Sequence, residues 1–525
     1  MNSHEHALAW AETIVRAYAR DTNLLIASRR THVSPALAHA PVLGEVLARM
    51  GACLTDDQAA EVAFVPADAT DADWAGPHAP VHVFVDDHDA PPSVRVAPER
   101  AMDAASRIAW ARDRMPVTAA LGRALARSGR LRGKTVGVCL AVEPKTAVLA
   151  LTLRDMGADV RLFCHPAETD AQVVGELRHD GIPVTFDLAW SAADENAAMS
   201  AFVADDLDLL IDDGAHLIRL LNESPKADRM IGAAEETTSG IRPVRALADS
   251  GQLRFPVVDV NGARVKTYFD NAFGTGESCL VTILDLLAPD GQAWPMAGKR
   301  VVVAGFGPVG QGCARCAAAL GARVGVAETD PVRELEARFA GFDTGPLRTM
   351  VAYADLIISA TGYPDTITLD LLRAAAPGAV VAVAGGVAGE VAFDQAVAAG
   401  ATVTPVAPFV ERLNFDPPVL SHVDDADIPL SHGARFEADD ATGDAPMASL
   451  HSSRTPGVLI LDRGGCLNLS AGQGNPIDIM DLSFAAQLAA LRRLTSGDKL
   501  APGVYSIDPD DEAEITRLAL NRAYQ

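Results

Sequence analysis

Short apolar runs rich in valine and isoleucine alternate along the chain with longer stretches rich in alanine, leucine and arginine. Such runs are typical of strands buried on both faces of a sheet, and the stretches between them have the composition of helices. The alternation therefore predicts an α/β protein built from βαβ units around parallel sheets. The runs expected to form strands are Thr135–Leu140, Asp159–Phe163, Leu207–Ile211, Arg300–Val303, Arg323–Ala327, Leu356–Ala360 and Ala379–Val383.

Changes in composition divide the chain further. Residues 1–97 begin with a helical pattern and end in a segment rich in Pro, Asp and His (66–97), which predicts an N-terminal α or α/β extension closed by a linker. Residues 422–456 are acidic and without periodicity, so we interpret them as an inserted loop. Residues 506–525 have the pattern of a capped C-terminal helix.

Charge and cysteine usage narrow the classes of partner. The chain has 44 basic and 69 acidic residues, a net charge of −25, which repels nucleic-acid phosphates and anionic lipid. We find no apolar stretch of about 18 residues that could span a membrane and no secretory signal at the start. The 7 cysteines are scattered and lack the spacing of a zinc site. We therefore expect a cytoplasmic protein without nucleic-acid or membrane partners and without a bound metal.

The clearest chemical pattern lies between Lys299 and Asp330. A valine-rich strand runs into a glycine-rich turn, an alanine-rich helix follows, and a second strand comes next. Gly305 permits the tight turn, Gly307 lets the backbone approach a pyrophosphate, and Gly310 allows close helix–strand packing. Free N–H groups at the helix N-terminus attract the anion. The residues of this predicted phosphate-binding turn are Gly305, Phe306, Gly307, Pro308, Val309 and Gly310.

The second strand of this unit ends at Glu328, where a carboxylate can bind both ribose hydroxyls and repel a 2′-phosphate. Arg333 is the one feature nearby that favours a 2′-phosphate. The combination predicts a dinucleotide site that takes NAD rather than NADP.

A second concentration of polar residues lies upstream, in 235–240 (EETTSG) and 259–278. One interpretation is a turn-rich connection between domains, in which Thr237 and Asp270 cap helices. The other is a ligand cleft at a domain junction. Lys266 and Asp270 are four residues apart and could share protons on one helical face. Asp213 follows a predicted strand, a favoured ligand position in open α/β sheets.

These motifs together resemble the adenosylhomocysteinase family of NAD-dependent S-adenosylhomocysteine hydrolases. The matching stretches run in family order from about residue 98 to near the C-terminus. The resemblance implies two doubly wound, Rossmann-like domains, one binding substrate (98–270, completed by about 475–505) and one binding NAD (271–474). It also implies a small nucleoside-like substrate and a homo-oligomer, dimer or tetramer. The stretches are IDDGAHL, EETTSGIRPVRALADSGQLRFPVVDVNGARVKTYFDNAFGTGES, VVVAGFGPVGQGCA, SATG and CLNLSAGQGNP.

Family enzymes oxidise the ribose 3′-hydroxyl, remove the acidified C4′ proton, eliminate the 5′ substituent, add water and reduce the ketone back. Carried over by position, Lys266 and Asp270 match the pair that works on the 3′-hydroxyl. Asp213 and Glu236 match the carboxylates of proton transfer and sugar binding. The further positions implied to contact NAD are Thr237, Thr238, Ser239, Asn271, Thr361 and Asn468.

The sequence departs from the family at the positions that would recognise the substrate. The family's His-Met-Thr is Ala141-Val142-Glu143 here, and its following acid is Lys145, although Thr146 matches. A family cysteine and two family histidines are replaced by Thr275, Gly386 and Asn475. The Lys and Tyr that a partner subunit's tail contributes to NAD in the family have no evident match.

Three functions stay open at this point: hydrolysis of S-adenosylhomocysteine, oxidation with elimination, addition or epimerisation on another nucleoside or thioether, and a catalytically silent NAD-binding protein that regulates a partner. A buried Lys–carboxylate cluster has no purpose in a silent site, which favours an enzyme.

Overall fold

The computed structural model describes residues 3–56, 60–69, 81–87, 91–288, 294–387, 389–415, 457–497 and 499–523. The segment 422–456, interpreted above as an inserted loop, lies outside them. The described residues form three β-sheets with helices packed against them, which confirms the α/β class. No helix in those ranges is long and apolar enough to cross a membrane.

The N-terminal extension is an α/β module with a sheet of its own. Its strands lie in the order β2-β1-β3-β4-β5, parallel except for β5. The linker predicted over 66–97 is wrong, because β4 and β5 lie inside it. Strand β4 is a short apolar run, and the Pro, Asp and His residues that flank it dominate the composition. The elements are α1 (Ser3–Thr22), β1 (Arg30–Val33), α2 (Ala40–Arg49), β2 (Cys53–Leu54), β3 (Val62–Pro66), β4 (Val81–Asp86) and β5 (Ser93–Ala97).

The second sheet is parallel, in the order C-terminal strand Gly503–Ser506, β11, β10, β9, β6, β7, β8. The chain therefore returns near its end to complete this sheet. The elements are α3 (Ala104–Asp113), α4 (Pro116–Ser128), β6 (Thr135–Cys139), α5 (Pro144–Asp155), β7 (Asp159–Phe163), α6 (Ala171–His179), β8 (Val184–Thr185), α7 (Ala192–Ala204), β9 (Leu209–Asp212), α8 (His216–Glu223), β10 (Gly232–Glu235), α9 (Thr238–Asp249) and β11 (Pro256–Asp259).

A helical connection leads to the third sheet: α10 (Arg264–Lys266), a π-helical segment (Thr267–Gly274) and α11 (Thr275–Leu287). The strands of this sheet and the helices between them are, in chain order, β12 (Arg300–Ala304), α12 (Pro308–Ala319), β13 (Arg323–Ala327), α13 (Pro331–Phe339), β14 (Asp343–Thr344), α14 (Leu347–Val351), β15 (Leu356–Ser359), α15 (Leu369–Ala374), β16 (Val380–Val383), α16 (Phe393–Ala398), β17 (Thr402–Ala407), β18 (Val410–Asn414) and β19 (Val458–Leu461). The chain then forms α17 (Leu467–Ser470), α18 (Ile477–Leu494), β20 (Gly503–Ser506) and α19 (Pro509–Ala523).

The third sheet has the order β14-β13-β12-β15-β16-β19-β18-β17, with antiparallel pairing at β18. Each of the two larger sheets has a switch point, at which the next strand lies on the other side of the first one: between β6 and β9 in the second sheet and between β12 and β15 in the third. Open α/β sheets bind ligands outside the carboxyl ends of their strands at such points. The seven predicted apolar runs all overlap observed strands, which confirms the two doubly wound sheets.

The N-terminal module is joined to the start of α18 by polar contacts. The main-chain N–H of Ile477 donates to the carbonyl of Asn23 over 2.8 Å, and the N–H of Leu25 donates to Asp478 over 3.1 Å. The guanidinium of Arg29 binds the other oxygen of Asp478 at 3.0 Å. Both ionic side chains are largely shielded from water, at 12 % and 15 % exposed. A displacement of the module would therefore leave charges and main-chain groups of α18 without partners.

We expect Arg29→Ala to destabilise the folded chain by about 2 kcal/mol, below the 3–5 kcal/mol typical of a fully buried pair because this pair is partly exposed. The measurement is the denaturant midpoint followed by tryptophan fluorescence. The control is Arg49→Ala, whose pair with Glu45 is half exposed and should change the free energy of unfolding by less than about 0.5 kcal/mol. Equal effects of the two substitutions would contradict the importance of this contact.

Candidate active site

A cavity of about 940 Å³ lies between the carboxyl ends of the second and third sheets. The residues singled out in the sequence that line it are Asp213, Glu236, Thr237, Thr238, Ser239, Lys266, Asp270, Asn271, Gly305, Gly307, Pro308, Val309, Glu328, Thr361 and Asn468. Gly310 is not among them, because it packs inside the glycine-rich turn. Both switch points of the fold therefore open onto one cavity.

A buried lysine flanked by two buried carboxyl groups forms the centre of this cavity. The Nζ atom of Lys266 lies 3.6 Å from Oε1 of Glu236 and 3.6 Å from Oδ1 of Asp270. It also donates a hydrogen bond of 3.0 Å to Oδ1 of Asn271. All three ionisable side chains are at most 7 % exposed. One positive charge thus faces two groups that can each be negative or protonated.

Lys266 and Asp270 share one helical face, at the junction of α10 with the π-helical segment. A π-helix is rare, is costly to form, and occurs frequently at functional sites. Here it presents Lys266, Asp270 and Asn271 to the cavity. The amide of Asn271 donates to Thr267 and to Asn261, both over about 3 Å, and so is fixed with its oxygen toward the lysine.

Helix α18 supplies the hydrogen-bond donors that orient the two carboxyl groups. Ser483 donates to Oδ2 of Asp270 over 2.6 Å, and the amide of Gln487 donates to Oε2 of Glu236. Ser483 and Gln487 are buried on one face of this helix, four residues apart. Neither residue was predicted from the sequence, although Gln487 inside the apolar stretch FAAQLAAL and Ser483 directly before that stretch were a usable signal.

The electrostatics of the cluster favour proton exchange near neutral pH. Burial raises the pKa of Glu236 to about 8, against a smaller opposite effect of Lys266. Burial alone would lower the pKa of Lys266, but the attraction of Asp270 and Glu236 outweighs it and raises that pKa above its usual value. The lysine is therefore charged at neutral pH, while Glu236 holds its proton up to about pH 8. Such poised groups are what general acid–base catalysis requires.

The glycine-rich turn fits a dinucleotide phosphate. Gly305 has a φ of +93°, and a Cβ on Gly310 would stand 2.0 Å from the carbonyl oxygen of Gly305. Helix α12 begins at Pro308, within the turn, and no side chain caps its N-terminal N–H groups. These groups open into the cavity beside Gly307, so they can bind an anion without rearrangement.

Glu328 stands at the end of β13 where a ribose would lie. Its carboxylate accepts hydrogen bonds from the main-chain N–H groups of Phe306, Thr329 and Asp330. Burial alone would raise the pKa of Glu328, but these bonds outweigh it and lower that pKa, so the group is ionised at neutral pH. Arg333 also lines the cavity, on the side of Gly307. The ionised carboxylate fits a free 2′-hydroxyl better than a 2′-phosphate.

Asn475, at a position where the family has histidine, links the two parts of the site. Its amide nitrogen donates to Oδ1 of Asp270 over 2.8 Å and to Thr275 over 3.1 Å. Its oxygen accepts from Ser278 and Asn468, each at 3.0 Å. A chain of amides and hydroxyls thus runs from the residues expected at the cofactor to the carboxylate beside Lys266.

The other altered positions divide into two groups. Ala141, Glu143, Thr275 and Gly386 line the cavity, as does Thr146, which matches the family, whereas Lys145 turns away from it. The ammonium of Lys145 binds Oδ1 of Asn23 at 2.9 Å, the carbonyl of Gln473 at 2.7 Å, and the Glu143 carboxylate. The substituted lysine therefore anchors the N-terminal module, and Glu143 is the charged group left facing a ligand.

The carboxyl groups at the ends of β9 and β10 have different roles. Asp212 is fully buried and accepts from the N–H groups of Leu217 and Ile218 at the start of α8. Glu235 is also fully buried and accepts from Gly214, Ala215 and Thr237. Of the carboxylates here, Asp213 and Glu236 reach the cavity. The two inner acids hold the loop that presents Asp213.

Comparisons with known proteins agree on one family. Residues 278–420 match the family model described as S-adenosyl-L-homocysteine hydrolase, NAD binding domain. The chain is 33 % identical over 424 residues to adenosylhomocysteinase of Thermoplasma acidophilum, covering 79 % of this chain and 92 % of that protein. It is 34 % identical over 423 residues to S-inosyl-L-homocysteine hydrolase of Methanopyrus kandleri, covering 79 % and 89 %. Adenosylhomocysteinase of Thermotoga maritima gives 33 % over 422 residues, covering 79 % and 93 %.

We expect Glu328→Ala to weaken the binding of NAD by about 10- to 100-fold, since a hydrogen bond to a charged group contributes about 1.5–3 kcal/mol. The measurement is calorimetric titration of NAD into cofactor-free protein. Glu334→Ala is the control, because this carboxylate on α13 binds Arg338 and Thr344 instead. An unchanged affinity in Glu328→Ala would show that the ribose lies elsewhere.

Glu236 should make the folded chain less stable as the pH rises. In the unfolded chain this carboxyl loses its proton near pH 4.5, but in the folded protein only near pH 8. Its stabilising contribution is full below about pH 4.5 and is lost as the pH rises through about 8. Glu236→Gln should therefore reduce the decline of the free energy of unfolding in this window, by up to about 1.4 kcal/mol per pH unit. Urea unfolding at several pH values measures it, with the exposed Glu45→Gln as the control that should keep the wild-type slope.

Proposed function

The chain belongs to the adenosylhomocysteinase family of NAD-dependent hydrolases, and from this we propose that it hydrolyses the thioether between a nucleoside and homocysteine. The proposed route is reversible oxidation of the sugar 3′-hydroxyl. The observation that carries the proposal is the buried cluster of Lys266, Glu236 and Asp270, which faces the same cavity as the glycine-rich turn.

The cofactor fits the donors at the turn and at Glu328. NAD, when bound, supplies reversible removal of hydride from the 3′-carbon of the sugar. We assign its phosphates to the N–H groups at the start of α12, and its adenosine ribose to Glu328. Thr237, Thr238, Ser239, Asn271, Thr361 and Asn468 are proposed as its further contacts, because they line the same cavity.

Lys266 and Asp270 are proposed to act on the 3′-hydroxyl. The charged ammonium stabilises negative charge as it develops on the 3′-oxygen, and the carboxylate of Asp270 receives the hydroxyl proton. Asn475 and Ser483 hold this carboxylate in place by hydrogen bonds to its Oδ1 and Oδ2 atoms. A pair preorganised in this way loses little free energy to reorientation during the reaction.

The 3′-ketone lowers the pKa of the C4′ proton, so that a side-chain base can remove it. Glu236 and Asp213 are proposed for proton transfer and sugar binding here, because both face the cavity. With a pKa raised to about 8 by burial, Glu236 exchanges protons close to the working pH. Departure of the thiol, addition of water and return of the hydride complete the cycle.

The residues expected at the base of the nucleoside support a second candidate substrate. Glu143, ion-paired to Lys145, lines the cavity together with Ala141, at the positions where the resemblance puts the family's base contacts. A carboxylate accepts a hydrogen bond from the exocyclic amino group of adenine or from the ring N–H of hypoxanthine, and the small side chain of Ala141 leaves room for either base. We therefore propose the inosine thioether as a second candidate substrate beside the adenosine thioether, so both S-adenosyl- and S-inosylhomocysteine belong in the assay.

We expect Lys266→Met to abolish the absorbance of reduced nicotinamide that appears when the wild-type holoenzyme meets its nucleoside, while NAD stays bound. The loss should exceed about 100-fold, the usual contribution of one acid–base group. Stopped-flow absorbance measures reduction, and the cofactor released on denaturation measures occupancy. Lys226→Met is the control, since this lysine pairs with the exposed Asp206 away from the cavity. Absence of reduction in the wild type with every nucleoside tested would refute the proposed function.

A further inference from the structure

Two histidines from different elements meet at the wall of the cavity. His165 follows β7, His216 begins α8, and their ring centroids are 4.8 Å apart at an interplanar angle of 60°. Both line the cavity, and no other histidine of the described ranges does. They are thus the imidazoles that a bound ligand can reach. The pair is not among the residues that sequence analysis selected.

The ring of His165 is held by a carboxylate. Its Nδ1 lies 2.6 Å from Oε1 of Glu195 on α7, and its Nε2 lies 3.5 Å from the thiol of Cys139 on β6. A carboxylate at Nδ1 fixes the orientation of the ring and leaves Nε2 as its other polar atom. The rings of Phe163 and Trp190 pack behind it, which leaves the cavity side for His216.

The backbone that carries His216 is strained in a way that places its ring. Gly214 has a φ of +74° and Ala215 a φ of +54°, a left-handed conformation that alanine rarely adopts. The ring of His216 folds back over Gly214, so that a Cβ at 214 would stand 2.7 Å from Nε2. Strain of this kind persists only where surrounding contacts enforce it, and it concentrates at functional sites. The enforcing contacts are the hydrogen bonds from Gly214 and Ala215 to Glu235.

Charged groups of both signs surround the pair. The carboxyl groups of Asp213 and Glu195 and the guanidinium of Arg219 act on His216. Glu168 lies near these two carboxyl groups, and Asp212 lies behind Cys139. Burial, with smaller effects of His165 and Arg219, lowers the pKa of His216 despite the attraction of Asp213 and Glu195. A proton on His216 is therefore easily given up to a ligand.

We propose that His165 and His216 form the proton relay for the 5′ side of the sugar, which rests on the function proposed above. When the bond between C5′ and sulfur breaks, its electron pair leaves with sulfur, which takes the proton of the pair and departs as the thiol. When water adds to C5′, the new C–O bond forms as the water proton passes to the neutral pair. The pair ends as it began, and it occupies the cavity in which the family's two histidine positions are Gly386 and Asn475.

The test separates sugar oxidation from thiol release in the holoenzyme, with S-adenosyl- and S-inosylhomocysteine as substrates. We expect His216→Asn to keep the rate of NAD reduction within threefold of wild type, and to lower thiol release, measured with a thiol reagent, by at least 100-fold. The control is His179→Asn on α6, whose ring is exposed and whose substitution should change neither rate. Thiol release within threefold of wild type in His216→Asn, or equal losses of both rates, would overturn the relay.

A second variant covers the case in which His216→Asn folds poorly. Glu195→Ala removes the carboxylate that holds Nδ1 of His165 and so frees the orientation of this ring. Thiol release should therefore fall by at least 10-fold, while NAD reduction stays within threefold of wild type. Thiol release within threefold of wild type in this variant would contradict the relay. A wild type that reduces no NAD with either thioether would instead refute the proposed function, and the relay with it.

Discussion

The arrangement of the site depends on keeping one lysine charged inside the protein. A buried ammonium is unstable unless opposite charges and hydrogen-bond acceptors replace its water. Glu236, Asp270 and Asn271 do so for Lys266. The two carboxyl groups would repel each other if both were ionised, and burial favours the neutral form of Glu236. Each one therefore needs donors of its own, and these come from a helix that is distant in the sequence.

Helix α18 meets this need and at the same time joins the parts of the fold. Four of its polar residues each bind a different neighbour. Asp478 binds Arg29 of the N-terminal module, Asp481 accepts from the first N–H groups of α4, Ser483 binds Asp270 and Gln487 binds Glu236. The rest of the helix is almost wholly apolar and buried. A change in how the module or α4 sits would therefore be transmitted directly to the carboxyl groups beside the lysine.

Sequence reasoning predicted what depends on local pattern and missed what depends on distant contacts. The apolar runs, the glycine-rich turn and the Lys266–Asp270 spacing are local, and the strands, the turn and the shared cavity lie where the pattern indicates. Strand β4 was not predicted, because the Pro, Asp and His residues on both sides of its short apolar run dominate the composition of that segment. His165 and His216 come from separate βα units, so only the sheet topology brings them together. Ser483 and Gln487 are polar residues in a mostly apolar helix, and their role follows from their partners Asp270 and Glu236, which are distant in the sequence.

The unusual residues of the chain are physically connected. Lys145 replaces a family acid. If Glu143 were the sole partner of this buried lysine, N–H donors of its ammonium group would have no acceptor. Asn23 of the added module and the carbonyl of Gln473 accept from those donors, and Asn23 itself has a left-handed φ of 53° to reach this position. The loop that carries Gln473 also carries Asn475, which holds Asp270. An acid at 145 would face the Asn23 and Gln473 oxygens without a proton to share. The module and the substitution therefore require each other, and Lys145 serves the assembly of the site while Glu143 is left to meet the ligand.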